Sequence, residues 1–472
     1  GSYEWENVLV DGLWSYSLEN VRLGLQASYK ELAENYRASF DEELTELSAI
    51  GISAMMHGYL AFDKDDNLLV PFRTWRNTTT AQASEELTRE LGFNMPQRWS
   101  GTHFYQAVLN GEAHVGQVTF LTTLAGYVHF MLTGERVLGI GDAAGMFPIK
   151  DGDYDKDRIA IFNSLLAKHG VNADLGALLP KALNAGEFAG KLTENGAKLL
   201  DPTGTLKAGA ILCPPEGDAG TGMVATNAVK VRTGNVSAGT SAFAMVVLEK
   251  PLSRVNSMID IVATPSGDTV AMVHANNFTS EINAWANLFK DFADTMGVSL
   301  NMGDIFTALF KKSLEADDDL GNILSYNYFS GEFLTGFETG KPLFVREPDS
   351  KFSLANFMRV QLFTCFGALK TGLKILDAES VEVDKILGHG GFFKTPVIGQ
   401  SVLAAVMNAP VSVMETAGEG GAWGVAVLAL YRISSNCTLE EFLDKMVDNV
   451  LDVIMKSKDV LGEYTYDAEA HH

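Results

Sequence analysis

Gly217-Asp218-Ala219-Gly220-Thr221-Gly222 places an acid in a glycine-rich turn, directly ahead of Met223-Val224-Ala225, where another element begins. A carboxylate on such a turn can be presented to a ligand hydroxyl and take its proton. The same side chain can instead cap a helix by accepting from the first backbone N–H groups. Two further turns share this build, each at the end of an apolar run. Ser237-Ala238-Gly239-Thr240-Ser241 offers successive N–H groups and two hydroxyls, which can grip a phosphate without adding positive charge. A tight turn with Thr and Ser facing water explains it equally well. Gly388-His389-Gly390-Gly391-Phe392-Phe393-Lys394-Thr395-Pro396 leads from Ile386-Leu387 into a helix, and Glu419-Gly420-Gly421-Ala422-Trp423-Gly424 opens another. Paired glycines leave room there for a flat ring against backbone at the positive ends of helices.

Outward from these turns, apolar runs and helical periodicities alternate. Ser17 stands as an N-cap before an amphipathic helix reaching about Tyr36. Residues 47–56 form one apolar run that ends at His57-Gly58, as a buried parallel strand would. The polar residues after it then lie at a strand's C-terminal end, where open α/β sheets bind ligands. Residues 227–231 and 236–248 read as a hairpin turning at Arg232-Thr233-Gly234-Asn235. Helices are expected over 281–296, 354–376, 396–407 and 440–455, with a strand over 411–414. This alternation argues an α/β chain. A domain boundary is expected near residue 250, giving domains 1–250 and 251–472.

Composition removes several function classes. The chain has 472 residues, and 36 Lys and Arg against 59 Asp and Glu give a net charge of −23. Such a chain repels phosphate backbones and anionic membrane surfaces, so neither nucleic acid nor a membrane is an expected partner. Three cysteines, Cys213, Cys365 and Cys437, form no Cys-x-x-Cys pair, which excludes a thiolate zinc motif and a disulfide framework and fits a reducing cytoplasm. No apolar stretch approaches the ~18–20 residues of a membrane span. Gly139-Ile140-Gly141-Asp142-Ala143-Ala144-Gly145 is similar to a dinucleotide-binding loop, but its third glycine comes one position late. Gly190-Lys191-Leu192 and Gly340-Lys341-Pro342 lack the remainder of a phosphate-binding P-loop. Neither a Gly-x-Ser-x-Gly elbow nor a His-Glu-x-x-His helix occurs.

Taken in order, the motifs resemble the FGGY family of carbohydrate kinases over nearly the whole chain. Met56-His57-Gly58, with Pro71 and Trp75-Arg76-Asn77 behind it, is similar to the segments that line the sugar pocket of xylulose kinases. Gly217-Asp218-Ala219 matches the turn whose Asp is the catalytic base, and Gly239-Thr240-Ser241 the phosphate turn. Gly390-Gly391-Phe392 resembles the adenosine loop, whereas Lys394-Thr395-Pro396 with Gln400 looks more like that of ribulose kinases. There are departures. Asn77 stands where xylulose kinases carry Asp, and Phe366-Gly367 replaces a frequent Glu-Gly. The strand pair with an Asp-x-Gly-Thr turn that opens family members has no match before Tyr3, so the chain is expected to begin inside the first domain.

The resemblance implies a two-domain, actin-like (ribonuclease H-like) α/β fold with a central cleft. It implies ATP and Mg²⁺ as co-substrate and cofactor, and phosphorylation of a terminal hydroxyl of a ketose, a pentulose such as xylulose above others. Asp218 would be the base. Met56, His57, Gly58, Trp75, Arg76 and Asn77 would bind the sugar; Gly239, Thr240, Ser241, Gly390, Gly391, Phe392, Lys394 and Gln400 would bind the nucleotide. Many related kinases are homodimers, so the resemblance allows that assembly, although no face of this sequence shows it. The alternative is a catalytically silent sugar- or nucleotide-binding homologue with a regulatory role.

Overall fold

Ser17 caps the first long helix as its sequence predicts. Its side chain accepts from the Asn20 N–H, and the helix runs Leu18–Phe40, one turn beyond the expected end, until Asp41 adopts a left-handed conformation (φ 56°). The computed structural model describes residues 1–395, 398–413, 420–434 and 436–446. Two compact units divide the chain. The first gathers Gly1–Ala225, Asp260–Thr269 and the chain from Gly421; the second holds Thr226–Ile259 and Val270–Gly420.

In the first unit, the apolar run over residues 47–56 is two short strands rather than one. Ala49–Ile50 pairs parallel with Ile211–Leu212, and Ser53–Ala54 pairs parallel with Glu216–Gly217. The break falls at Gly51, where a Cβ would lie 2.5 Å from the Val425 carbonyl oxygen, so close backbone approach interrupts the strand. Because the pairs are parallel, Met56-His57-Gly58 and Asp218 leave the same sheet edge. Leu60–Phe62 pairs antiparallel with Phe120–Thr122 beside them. Leu60, Phe62, Phe120, Leu124, Val128, Leu132 and Leu212 share one apolar cluster beneath this sheet. Each such side chain, fully buried, contributes ~1.5–3 kcal/mol.

Two histidines of this unit are buried neutral. Among the described residues neither ring nitrogen of His103 has a hydrogen-bond partner, and burial depresses its pKa to about 3. Burial likewise lowers His129 to about 4, although its Nε2 donates to the Ala189 carbonyl at 2.8 Å. Below about pH 6.5 the unfolded chain takes up protons that the folded rings refuse, so stability falls as pH drops toward 4, by ~1.4 kcal/mol per pH unit for each histidine. His103→Phe is expected to shallow that slope in denaturant titrations between pH 4 and 7; an unchanged slope would show that His103 is not buried neutral.

In the second unit, Thr233–Ala238 pairs antiparallel with Ala242–Val247, which pairs antiparallel with Thr269–Ala275. Thr233–Ala238 also pairs parallel with Lys385–His389, and that strand with Val411–Val413. The hairpin therefore turns at Gly239–Ser241 and not at Arg232–Asn235. Gly234 lies inside a strand opposite Val246, and its missing Cβ makes room for the Ile386 side chain. The helix expected over 354–376 is two, Leu354–Cys365 and Gly367–Ala378, joined at Phe366. The buried Phe366 ring packs edge-on against Phe278 at 4.8 Å and Phe392 at 5.4 Å, and this anchoring turns the chain.

The helix Ser280–Thr295 and the strand Val411–Val413 lie where the sequence expects them, and Ile398–Met407 begins two residues after Pro396. Met302–Ser313, capped by Asn301, and the hairpin of Ile323–Tyr326 with Leu343–Arg346 were not legible in the sequence. Pro396, Met414, Glu419 and the expected helix beyond Met446 lie outside the described residues. Among the described residues no helix is long and apolar enough to cross a membrane.

Candidate functional site

Asp218 is the first residue of the helix Asp218–Ala225, immediately after the strand Glu216–Gly217. The glycine-rich stretch around it is thus a strand end and a helix start. Its Oδ1 accepts from the Met56 N–H at 3.2 Å and from the Ala219 N–H at 3.0 Å. Gly217 must be glycine, because a Cβ there would overlap the Met56 side chain. The Thr221 hydroxyl donates to the Gly217 and Asp218 carbonyls at 3.2 Å each and lies 2.8 Å from Ser53 Oγ, tying the helix's first turn to the strand Ser53–Ala54. Asp218 is reached by solvent, yet protein crowds it on its other sides. That desolvation pushes its carboxyl above the ordinary carboxylate range, against the pull of the Met56 and Ala219 N–H groups.

Met56-His57-Gly58 therefore stands beside Asp218. His57 and Gly58 both take left-handed backbone, at φ 67° and 89°. His57 Nδ1 lies 3.1 Å from the Gly145 carbonyl, which only accepts, so Nδ1 carries the hydrogen; the ring stacks on Trp99 at 6.2 Å. The Gly58 N–H donates to the Arg98 carbonyl, and Ser100 Oγ donates to the Gly58 carbonyl at 2.6 Å.

Trp75, Arg76 and Asn77 are placed differently from one another. Trp75 is exposed. The Arg76 guanidinium stacks on Trp14 at 4.4 Å. Asn77 is buried and directs its amide to backbone: Oδ1 accepts from Trp14 N–H at 2.8 Å, and Nδ2 donates to the carbonyls of Trp14 at 2.8 Å and Thr74 at 3.0 Å. An Asp here could not make the two donations, which gives the departure from the xylulose-kinase residue a local cause.

In the second unit, Gly239, Thr240 and Ser241 form the hairpin turn. The Gly239 N–H closes the turn on the Ser241 carbonyl at 3.0 Å, and its own carbonyl accepts from Thr279 Oγ1 at 2.7 Å. Thr240 accepts from the Phe278 N–H at 3.0 Å. Gly239 and Thr240 are exposed. Gly390 is brought directly against this turn: its φ of 109° is one that side chains rarely adopt, and a Cβ would overlap the Ala238 carbonyl. Gly391 opens the short turn Gly391–Lys394 and has nothing within 4 Å of a notional Cβ. Lys394 is exposed and Gln400 buried. Phe392 points inward, packed on Phe278, Phe310 and Phe366, so it supports the loop from below.

Glu216 was not singled out by the sequence, although an acid within an apolar run is itself a signal; it is fully buried one residue ahead of Gly217. Thr279, which holds the turn Gly239–Ser241 from a distant segment, carries no local signature at all.

Family models match along most of the chain. That of the N-terminal domain of the FGGY family of carbohydrate kinases matches residues 25–206, and that of its C-terminal domain residues 234–433. A xylulose kinase of Haemophilus influenzae is 24% identical over 426 residues, covering 88% of this chain and 80% of that protein. The fold is also that of the ligand-bound xylulose kinase of Lactobacillus acidophilus, at TM-score 0.76 and 16% identity over 97% of this chain and 92% of that one. A gluconate kinase of the same organism matches at TM-score 0.72 and 15% identity, over 97% and 92%. The chain belongs to the FGGY family of carbohydrate kinases, with that family's two-domain, actin-like α/β fold, and is a carbohydrate kinase.

Proposed function

We propose that this kinase transfers the γ-phosphoryl group of ATP to a terminal hydroxyl of a ketose, with a pentulose such as xylulose as acceptor and Asp218 as general base. The observation that carries this reading is the fixed Asp218 carboxylate, held through Oδ1 by two backbone N–H groups while Met56-His57-Gly58 stands alongside. The Asp218 carboxylate would accept the hydroxyl proton as the acceptor oxygen attacks phosphorus and the bond to the ADP leaving group breaks. Phosphoryl transfer leaves little covalent work to the protein, so positioning and charge stabilisation dominate. His57 and Trp75 are proposed to contact the sugar. Asn77 is proposed to act through the backbone it fastens, and Arg76 through the face it makes with Trp14.

The unit carrying Gly239–Ser241 and Gly390 is proposed to hold the nucleotide. The Thr240 and Ser241 N–H and hydroxyl groups would address phosphate oxygens, with Gly390 and Gly391 against the adenosine and Lys394 and Gln400 nearby. Among the described residues no group of three His, Cys, Asp or Glu side chains is set to hold a metal. Mg²⁺ is proposed to arrive on the phosphates of ATP, as this ion commonly does.

A panel of D-xylulose, L-xylulose, D- and L-ribulose, D-fructose, gluconate and glycerol, assayed by ADP release with MgATP, tests the acceptor. The highest kcat/KM is expected for a pentulose. Gluconate or glycerol turning over faster than every pentulose would overturn that part of the reading.

A further inference from the structure

Glu216 is 1% exposed and lies two residues before Asp218 on the same strand end. Its carboxylate accepts from the backbone N–H of Gly141 at 3.2 Å and of Asp142 at 2.9 Å. Two glycines exist to admit it: a Cβ on Gly139 would overlap the carboxylate, and one on Gly141 would lie 2.6 Å from Oε2. The glycine loop that is similar to a dinucleotide site thus cradles the chain's own acid. Asp142 is fully buried, and its Oδ2 accepts from Thr123 Oγ1 at 2.7 Å. Its Oδ1 has no hydrogen-bond partner among the described residues and would lie 3.1 Å from a Cβ on Gly217, the residue that joins Glu216 to Asp218.

We infer that Glu216 is a positioning residue for Asp218, acting with the buried Asp142 to fix the strand end from which Asp218 leaves. The inference rests on Asp218 being the base. Fixing comes from geometry: the Glu216 grip joins the strand Glu216–Gly217 to the short helix Ile140–Ala143, and the unpartnered Asp142 oxygen sits against the peptide between them. Burial also pushes Glu216 up to about 8, which leaves it protonated near neutrality, and raises Asp142 well above the carboxylate range. The other titratable groups at this junction are His57, on the loop after Ser53–Ala54, Tyr154 behind Asp142, and Cys213 behind Glu216; burial keeps the last two protonated. Above about pH 8 Glu216 ionises. The added negative charge then opposes a transition state that is itself gathering negative charge.

The test measures kcat, KM and the pH profile of wild type, Glu216→Gln, Glu216→Ala and Asp218→Asn, with MgATP and the best acceptor of the panel above. Glu216→Ala is expected to lower kcat about 100-fold, the scale of an ångström-size misplacement, with the acceptor KM changed less than about threefold. Glu216→Gln keeps the bulk, loses less than Glu216→Ala, and no longer shows the wild-type decline above about pH 8. Unfolding gives a readout independent of turnover. Because the folded pKa is raised, wild type should lose up to about tenfold in folding constant per pH unit relative to Glu216→Gln as pH rises from about 5 to 8. Wild-type kcat and an unchanged alkaline limb in both Glu216 variants, with Asp218→Asn inactive, would overturn this inference alone. An active Asp218→Asn would instead overturn the base assignment. A Glu216→Ala that fails to fold leaves the Gln variant's pH profile and unfolding slope to decide.

Discussion

Asp218→Asn is expected to lower kcat by ~10²–10⁴-fold, the range that general-base catalysis contributes, while both KM values stay near wild type. The substitution isolates the proton transfer. Asn Oδ1 can still accept from the Met56 and Ala219 N–H groups, so the strand end and helix start keep their hydrogen bonds. What is lost is the oxygen proposed to take the proton. The folded carboxyl titrates above the ordinary range, so its charge is disfavoured by folding at neutral pH. Neutral Asn removes that penalty, and the variant should unfold at or above the wild-type Tm at pH 7. If Asp218 is the base as proposed, its carboxylate is the active form, and kcat/KM should rise with pH through an inflection displaced upward from the usual Asp value. Near-wild-type ADP release by a folded Asp218→Asn would remove Asp218 from the chemistry.

The parts of this site that were legible in the sequence are those whose chemistry is local. Gly217-Asp218 and Gly239-Thr240-Ser241 each combine backbone freedom with a polar group at the end of an apolar run, and both sit at strand ends in the structure. Ser17 announced its helix for the same reason: a cap is decided within four residues. What escaped depends on segments far apart in the chain. Gly234 reads as a turn glycine until Ile386 is seen to fill the space of its missing side chain. Phe366 reads as an ordinary helical residue until Phe278 and Phe392 are seen to hold it. Asn77 gives no local sign that its amide is engaged by the Trp14 backbone. The Gly139–Gly145 loop fits a nucleotide cradle only in part, and nothing local says that its glycines make room for the Glu216 side chain. Sequence reveals the demand for space or for an acceptor; only the fold says which partner meets it.

Gly390→Ala is the second large effect, and it follows from the same demand for space. Gly390 holds φ 109° and ψ 175°, a region nearly closed to residues with a side chain, and adopting it costs ~1–3 kcal/mol before any contact is counted. The new Cβ would also overlap the Ala238 carbonyl, immediately ahead of the turn Gly239–Ser241. The strand Lys385–His389 is locked in register with Thr233–Ala238 through the pair Ser237 and His389, so it cannot slide away to relieve the overlap. Relief must come from the turn itself, which moves the Thr240 and Ser241 donors proposed to address ATP. The expected result is a Tm several degrees lower and an ATP KM raised about tenfold or more, with a much smaller change in the acceptor KM. Gly391→Ala is the matched control, because nothing lies within 4 Å of the added methyl and its backbone needs no glycine. Its Tm should stay at the wild-type value, and any change in its ATP KM reports the proposed contact with adenosine rather than strain in the turn. If Gly390→Ala folds with an unaltered ATP KM, the turn at Gly239–Ser241 does not hold the nucleotide's phosphates.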